Sequence, residues 1–314
     1  MRNDAYFMNL AMQLALRAKG KTSPNPLVGA VIVRHNKIMG KGYHHKAGGP
    51  HAEILALRQA GGMAKGAKLY VTLEPCSHFG RTPPCVNAIL SSGIKEVIVG
   101  MKDPNPVNNG KSIKILKNHG IKVKIGFLKE ELKRINEPFI KYITQRLPFV
   151  TIKLGQSLDG KIATSTGDAK WITSLGTRNF THALRRFFDA ILVGINTVLK
   201  DNPSLNSPGK PIKKIIVDSS LRLPLNARIF YKTPPQNIIA ATTSSAAAAK
   251  VLRLKEKGAQ VLIIPKKRGQ VDLKALLRKL AALEITNILV EGGGEINATL
   301  LKENLVDKVS LCIA

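Results

Sequence analysis

Four residues in the first third of the chain could do chemistry together: His51, Glu53, Cys76 and Cys85. One imidazole and two thiolates are soft-to-borderline ligands, the set that suits a tetrahedral Zn²⁺ and leaves its fourth position open. An open position implies catalysis, because a water can sit there and zinc lowers its pKa to about 7. The resulting hydroxide is suited to attack the amine-bearing carbon of a heteroaromatic ring. Glu53, two residues beyond His51, is placed to take the water's proton and pass it to the ring nitrogen and the departing ammonia. A lone histidine or a cysteine pair is more often part of a core. His-x-Glu joined to Pro75-Cys76 and a further cysteine is a combination that packing alone does not require. His44, His45 and His78 read individually as loop-surface histidines and stay outside the metal site.

Hydrophobic periodicity gives the elements that must position these groups. Phe7, Leu10, Ala11, Leu14, Ala15 and Ala18 recur at helical spacing over 6–19, and Gly20 is a stop signal. Ser23-Pro24-Asn25-Pro26 is a rigid loop leading to an apolar run at 28–33, which pairs with 38–43 across the turn His35-Asn36-Lys37. Pro50 opens a helix that runs to Ala60 and closes at Gly61-Gly62, so His51 and Glu53 fall in its first turn. A strand at 68–73 leads to Cys76, and a helix from about Pro84 to Ser92 carries Cys85. Strands at 96–99 and 122–125 with a helix at 113–118 complete a three-layer α/β/α pattern. The segment Gln145-Arg146-Leu147-Pro148 is the expected boundary, giving domains 1–147 and 148–314. Beyond it, strands expected at 149–154, 190–193, 214–217, 237–240, 260–264, 287–290 and 308–313, with an alanine-rich helix start at 244–249, imply a second α/β sheet. Glu291-Gly292-Gly293-Gly294 would let the backbone approach a phosphate ahead of a helix N-terminus near Glu295. A tight structural turn explains those glycines equally well.

Length and composition bound the function class. At 314 residues the chain is long enough for two domains, and 44% hydrophobic with 22% charged residues is a globular balance. No stretch approaches the roughly 18 apolar residues of a membrane span, and the N-terminus lacks the apolar core of a signal peptide. Three cysteines are an odd number without a repeated framework, which argues against a disulfide scaffold and for a cytoplasmic protein with reduced thiols. The 49 Lys+Arg against 20 Asp+Glu leave a formal charge of +29, which favours anionic partners. Nucleic acid is disfavoured as that partner, since the cations are scattered and aromatics for base stacking are 5% of the chain. A basic RNA-editing deaminase is the competing reading, and it predicts salt-sensitive RNA binding and deamination of a flipped base.

His-x-Glu followed by Pro-Cys is the arrangement of zinc nucleobase deaminases, whose glutamate is an acid/base and not a ligand. Eight residues rather than two separate the cysteines here, from Ser77 to Pro84. The whole string Glu74-Pro75-Cys76-Ser77-His78-Phe79-Gly80-Arg81-Thr82-Pro83-Pro84-Cys85 resembles the bifunctional pyrimidine deaminase/reductase family of riboflavin biosynthesis. Pro24-Asn25-Pro26-Leu27-Val28-Gly29 and Asp103-Pro104-Asn105-Pro106 match it too. In the second half Lys153 to Lys161, Trp171-Ile172-Thr173, Gly194 to Leu199 with Asp201-Asn202-Pro203, and Glu291-Gly292-Gly293-Gly294 resemble the family's reductase part.

The resemblance implies a cytidine-deaminase-like domain followed by a dihydrofolate-reductase-like α/β domain. It implies a diaminohydroxypyrimidine carrying a phosphoribosylamino group as substrate, and reduction of the ribosyl to a ribityl chain by NADPH. Asn25, His78 and Arg81 would then hold the ring or phosphate. Gly155, Trp171, Thr197, Asp201, Ser219 and a loop of Gly293, Gly294, Glu295, Ile296, Asn297, Ala298 and Thr299 would contact NADPH. Ala169, Arg185, Leu205 and Glu291 would face the substrate. Trp171 reads equally as buried core. Two features depart from the family. Leu205 is followed by Asn206-Ser207-Pro208-Gly209-Lys210, without the family's threonine and arginine for the phosphate. The chain also ends at Ala314, where the family continues for several dozen residues, so a reductase sheet shortened at the C-terminus is expected. Such a sheet would be defective, leaving a deaminase-only enzyme, or would depend on a partner subunit in a homo-oligomer.

Overall fold

The N-terminal helix begins where Asn3 accepts a hydrogen bond from the Tyr6 N–H, an N-cap that satisfies one of the free donors of the first turn. A computed structural model describes residues 3–80, 82–165 and 172–314. The chain divides into two compact units, Met1–Gln145 and Arg146–Ala314, two residues from the expected 147/148 boundary.

In the first unit, α1 (Asp4–Leu16) precedes the hairpin of β1 (Gly29–Arg34) and β2 (Lys37–Tyr43). His35 and Asn36 both adopt positive φ, 48° and 60°, as a two-residue hairpin turn demands. Then follow α2 (Ala52–Ala60), β3 (Lys68–Leu73), α3 (Cys85–Ser91), β4 (Glu96–Met101), α4 (Lys111–Asn118), β5 (Lys122–Ile125), α5 (Lys129–Ile135) and α6 (Glu137–Gln145). The sheet order is β2-β1-β3-β4-β5, with β1 antiparallel to both neighbours and β3, β4 and β5 parallel. Parallel alignment brings the segments after β3 and β4 to one edge, and these contain Cys76 and Asp103. That edge is where α/β sheets bind ligands.

Helix α2 lies directly on β2. A Cβ on Gly40 would sit 2.2 Å from the Ala56 carbonyl oxygen, and one on Gly42 2.5 Å from that of Ala52. Glycines on the strand and the buried alanine stripe Ala52, Ala56 and Ala60 on the helix permit this approach. It fixes the helix whose N-terminus carries His51 and Glu53.

The second unit runs β6 (Phe149–Gln156), α7 (Leu175–Leu184), β7 (Ala190–Gly194), α8 (Ile195–Asp201), β8 (Lys213–Val217), β9 (Ile238–Thr242), α9 (Ala248–Glu256) and β10 (Gln260–Ile263). A short hairpin follows, β11 (Lys266–Lys267) and β12 (Gln270–Val271), then α10 (Leu273–Ala282), β13 (Asn287–Val290), α11 (Gly294–Lys302) and β14 (Lys308–Ile313). The sheet order is β10-β9-β8-β7-β13-β6-β14, and its described pairings are all parallel. Both faces of such a sheet must be covered. Ile215, Val217, Ile239 and Ala241 pack with the α10 leucines, whereas Ile216, Ile238 and Ala240 pack with Leu254 of α9. The segment expected as a loop over 293–299 is a correction: Gly293, with ψ 174°, is an extended N-cap, and Gly294 to Thr299 are already helix α11.

Candidate active sites

His51 is the N-cap residue of α2, with extended backbone, and Glu53 is in that helix's first turn. Cys76 follows β3 in an irregular segment, and Cys85 is the first residue of α3. These elements bring one donor atom each from His51, Cys76 and Cys85 to within 4.8 Å of one another. The imidazole Nδ1 is 3.1 Å from the Cys85 sulfur and 3.5 Å from the Cys76 sulfur, so Nδ1 is the nitrogen that faces the cluster. Its other nitrogen, Nε2, is 3.1 Å from the Thr82 hydroxyl. A partner on the far nitrogen fixes ring orientation and tautomer, as metal-ligating histidines require.

The electrostatics suit a cation. The Cys85 thiol, hydrogen-bonded to Cys76, holds Cys76 down to about 4, and the same contact together with burial pushes Cys85 up. The Cys76 sulfur also accepts the Cys85 backbone N–H at 3.2 Å. The His51 imidazole is held above its ordinary range, first by its hydrogen bond to Cys76. Glu53 is buried at 3% exposure, and one of its oxygens, Oε2, has no hydrogen-bond partner among the described residues. Burial first, then the charge on Cys76, pushes its carboxyl up to about 7. An orphaned buried carboxyl beside a thiolate and an imidazole fits a zinc site, because the ion would supply the missing counter-charge.

His44 is not on the surface. It is 2% exposed, its Nε2 meets Asn25 Nδ2 at 3.0 Å, its Nδ1 meets the Pro50 carbonyl at 3.1 Å, and its ring stands edge-on to His51. Burial holds its pKa down. His45 is exposed and stacks on Tyr43, whereas the Nδ1 of His78 is buried without a partner among the described residues. Arg81 lies outside the described residues.

In the second unit Thr197, Gly293 and Ile296, from the expected set, come together where β7 and β13 end. A Cβ on Gly194 would meet Ile296 at 3.0 Å, one on Gly292 would meet Ile296 at 3.4 Å, and one on Gly293 would meet the Thr197 hydroxyl at 3.5 Å. Among the described residues no side chain caps helix α11, and the N–H groups of a helix's first turn suit an anion such as a cofactor phosphate. Gly292, Gly293, Thr197 and this helix start thus form a cradle of a kind that fits NADPH. Asn297 is buried, donates to the Gly292 carbonyl and leaves its Oδ1 without a partner among the described residues. Glu295 reaches Asn196, whereas Ala298 and Thr299 are exposed on the second turn. Gly155 is on β6, Asp201 ends α8 exposed, and Ser219 is tied to the β11–β12 hairpin through Gln270 and Val271. Arg185 and Glu291 form a bidentate ion pair, Nε to Oε1 at 2.7 Å and a second nitrogen to Oε2 at 2.9 Å. Arg185 also donates to the Asn206 carbonyl, next to Leu205. The Leu205 side chain packs in the core, so only its backbone, bent at φ 50°, is left to meet a ligand there. Ala169 and Trp171 lie outside the described residues.

Comparison with known proteins agrees with this geometry. Residues 1–101 match the cytidine and deoxycytidylate deaminase zinc-binding region, and residues 148–314 match the RibD C-terminal domain. The riboflavin biosynthesis protein RibD of Aquifex aeolicus is 50% identical over 99% of this chain and 86% of that protein. The chain belongs to the RibD family. RibD of Escherichia coli is 39% identical over 99% of the chain and 87% of its own length. Acinetobacter baumannii RibD, a solved structure, superposes with a TM-score of 0.88 at 36% identity, covering 99% of this chain and 86% of that one. A Thermotoga maritima structure described as a diaminohydroxyphosphoribosylaminopyrimidine deaminase/5-amino-6-(5-phosphoribosylamino)uracil reductase gives 0.85 at 37% identity, with the same coverage. As a RibD family member the chain is a bifunctional deaminase and reductase of riboflavin biosynthesis, zinc-dependent in its first activity and NADPH-dependent in its second. Its substrate class, a phosphorylated pyrimidine, follows from the same membership. Among the described residues no helix is long and apolar enough to cross a membrane.

Proposed function

We propose that His51 through Nδ1, Cys76 and Cys85 hold the zinc ion and that Glu53 is the proton carrier of the deamination. A zinc ion held by three protein ligands supplies an acidified water as nucleophile and a positive charge beside the reacting carbon. The protein's own contribution starts with Glu53, which is buried and close enough to Cys85 to share a hydrogen bond. A buried carboxyl beside the nucleophile can take the water's proton and hand it on to the ring nitrogen and the leaving ammonia, the work of a general acid and base. Thr82 steadies the His51 ring from behind. The observation that carries this assignment is the buried Glu53 oxygen, two residues from His51, that has no partner among the described residues.

In the second unit, Gly155, Thr197, Asp201, Ser219 and the segment Gly293 to Thr299 are assigned to NADPH, with its phosphates toward the open start of α11. Arg185, Glu291 and the Leu205 backbone are assigned to the substrate, with Ala169 and Trp171 joining the substrate and cofactor sets on resemblance alone. The hydride belongs to NADPH, and the residues here align it with the sugar carbon. A substrate phosphate suits the +29 chain without any nucleic-acid role, and a cytoplasmic enzyme is the corresponding location. The test uses the full chain with the phosphoribosylamino-pyrimidine. Ammonia should appear without NADPH, and one NADPH should then be consumed per ammonia released. Glu53→Gln protein should release ammonia about 10²- to 10⁴-fold more slowly yet still oxidise NADPH at the parent rate when given the deaminated compound. NADPH oxidation with the unreacted diamino substrate and no ammonia would overturn the proposed order.

A further inference from the structure

Cys76 belongs to no helix or strand, so regular backbone bonding does not fix where its sulfur points. A single side chain brackets it instead. Asn108, fully buried, donates from Nδ2 to the Pro75 carbonyl at 3.0 Å. Its Oδ1 accepts from the Ser77 backbone N–H at 2.9 Å and from the Ser77 hydroxyl at 2.7 Å. One amide therefore grips the residue before Cys76 and the residue after it. The Cys76 carbonyl is held independently, by the Val86 N–H at 3.1 Å.

The amide is itself anchored. Its Nδ2 also donates to Asp103 at 3.1 Å, and the Asp103 N–H donates to Glu74 Oε2 at 3.1 Å. Glu74 Oε2 further accepts from Gly110 N–H at 2.9 Å, and Oε1 from the Ser112 hydroxyl at 2.9 Å. The orientation of the amide is unambiguous, because a backbone N–H can only donate and a backbone carbonyl can only accept. Both protons and both acceptor sites of Asn108 are used. Aspartate would lose the donors and leucine would lose everything.

We propose that Asn108 is a positioning residue of the deaminase, holding the Cys76 thiolate in ligating geometry through the two flanking peptide groups. The inference rests on Cys76 being a zinc ligand. Outer-shell partners of metal ligands are worth on the order of 10- to 100-fold in metal affinity, so Asn108→Ala should weaken zinc binding by about that factor in competition with a calibrated chelator. The cobalt(II)-loaded full chain supplies a second signal, since its visible bands report thiolate geometry, and they should shift in Asn108→Ala. Ser112→Ala breaks a bond to Glu74 in the same buried network without touching either peptide group that flanks Cys76, and it should leave affinity and spectrum as in the parent. If Asn108→Ala does not fold, Ser77→Ala removes only the hydroxyl arm of the clamp and should give a smaller shift of the same sign. Equal effects from Asn108→Ala and Ser112→Ala, or an unchanged cobalt spectrum in folded Asn108→Ala or Ser77→Ala, would overturn the proposal. Cys76→Ser separates the two failures. Loss of a cobalt–thiolate band in Cys76→Ser with none of the Asn108 effects rejects only the clamp, whereas an intact band pattern in Cys76→Ser rejects the ligand assignment itself.

Discussion

Replacing Glu53 by glutamine should move stability and turnover in opposite directions. The carboxyl is buried and pushed up to about 7 from an ordinary 4.5, first by burial and then by the charge on Cys76. A displacement of that size corresponds to a native-state penalty on the ionised group of about 3 kcal/mol. Below pH 4.5 Glu53 is neutral in both folded and unfolded chains and contributes nothing. Between 4.5 and about 7 the unfolded chain releases the proton while the native one keeps it, so stability falls as pH rises, and above 7 the full penalty stands. Glutamine carries no charge to bury, but its amide meets the same shortage of partners and gives back about 1 kcal/mol. The net expectation for zinc-stripped Glu53→Gln is a gain of about 2 kcal/mol at pH 8 that turns into a loss of about 1 kcal/mol below pH 4.5. Urea unfolding of stripped parent and variant at several pH values measures it, in the transition that added zinc displaces. In the zinc-loaded enzyme the same substitution should cut ammonia release by about 10²- to 10⁴-fold. A variant less stable than the parent at pH 8, or a difference that does not change with pH, would refute the reasoning from burial.

Three further outcomes follow from particular contacts. Thr82→Val removes the group facing His51 Nε2 and should weaken zinc binding by on the order of 10-fold in a chelator competition while leaving the fold intact. Glu291→Gln leaves the Arg185 guanidinium, 13% exposed, without its bidentate anionic partner and should destabilise the second unit by about 2 kcal/mol in urea, with loss of NADPH oxidation. Gly40→Ala drives a methyl to within 2.2 Å of the Ala56 carbonyl oxygen, so thermal unfolding should show the first unit losing about 3 kcal/mol or more; a loss below about 0.5 kcal/mol would mean α2 is free to move off β2.

Much of the fold is legible in the sequence because alternation and apolar runs are local properties. The expected strands at 68–73, 122–125 and 308–313 coincide with β3, β5 and β14. Helices α5 and α6 escaped because they bury little: α5 buries only Leu132, and α6 buries no residue fully. The three glycines after β13 suggested a loop, yet Gly294 joins the helix and Gly293 serves as its extended N-cap, since a helix can start directly after one non-helical residue. Within the site, residue type and spacing point to His51, Glu53, Cys76 and Cys85, and the folded chain brings them together. Thr82, His44 and Asn108 carried no such mark. Thr82 and Asn108 act through partners 31 or more residues away, and the burial of His44 depends on how the loop before α2 closes over it. A threonine, a histidine and an asparagine in polar loops look like surface until those partners arrive.

Zinc K-edge X-ray absorption on the full-length, zinc-loaded protein tests the metal site most directly. The account predicts one nitrogen at about 2.0 Å, two sulfurs at about 2.3 Å and one further light ligand, with one sulfur lost in Cys85→Ser. A shell without sulfur, or one unchanged in Cys85→Ser, would contradict it.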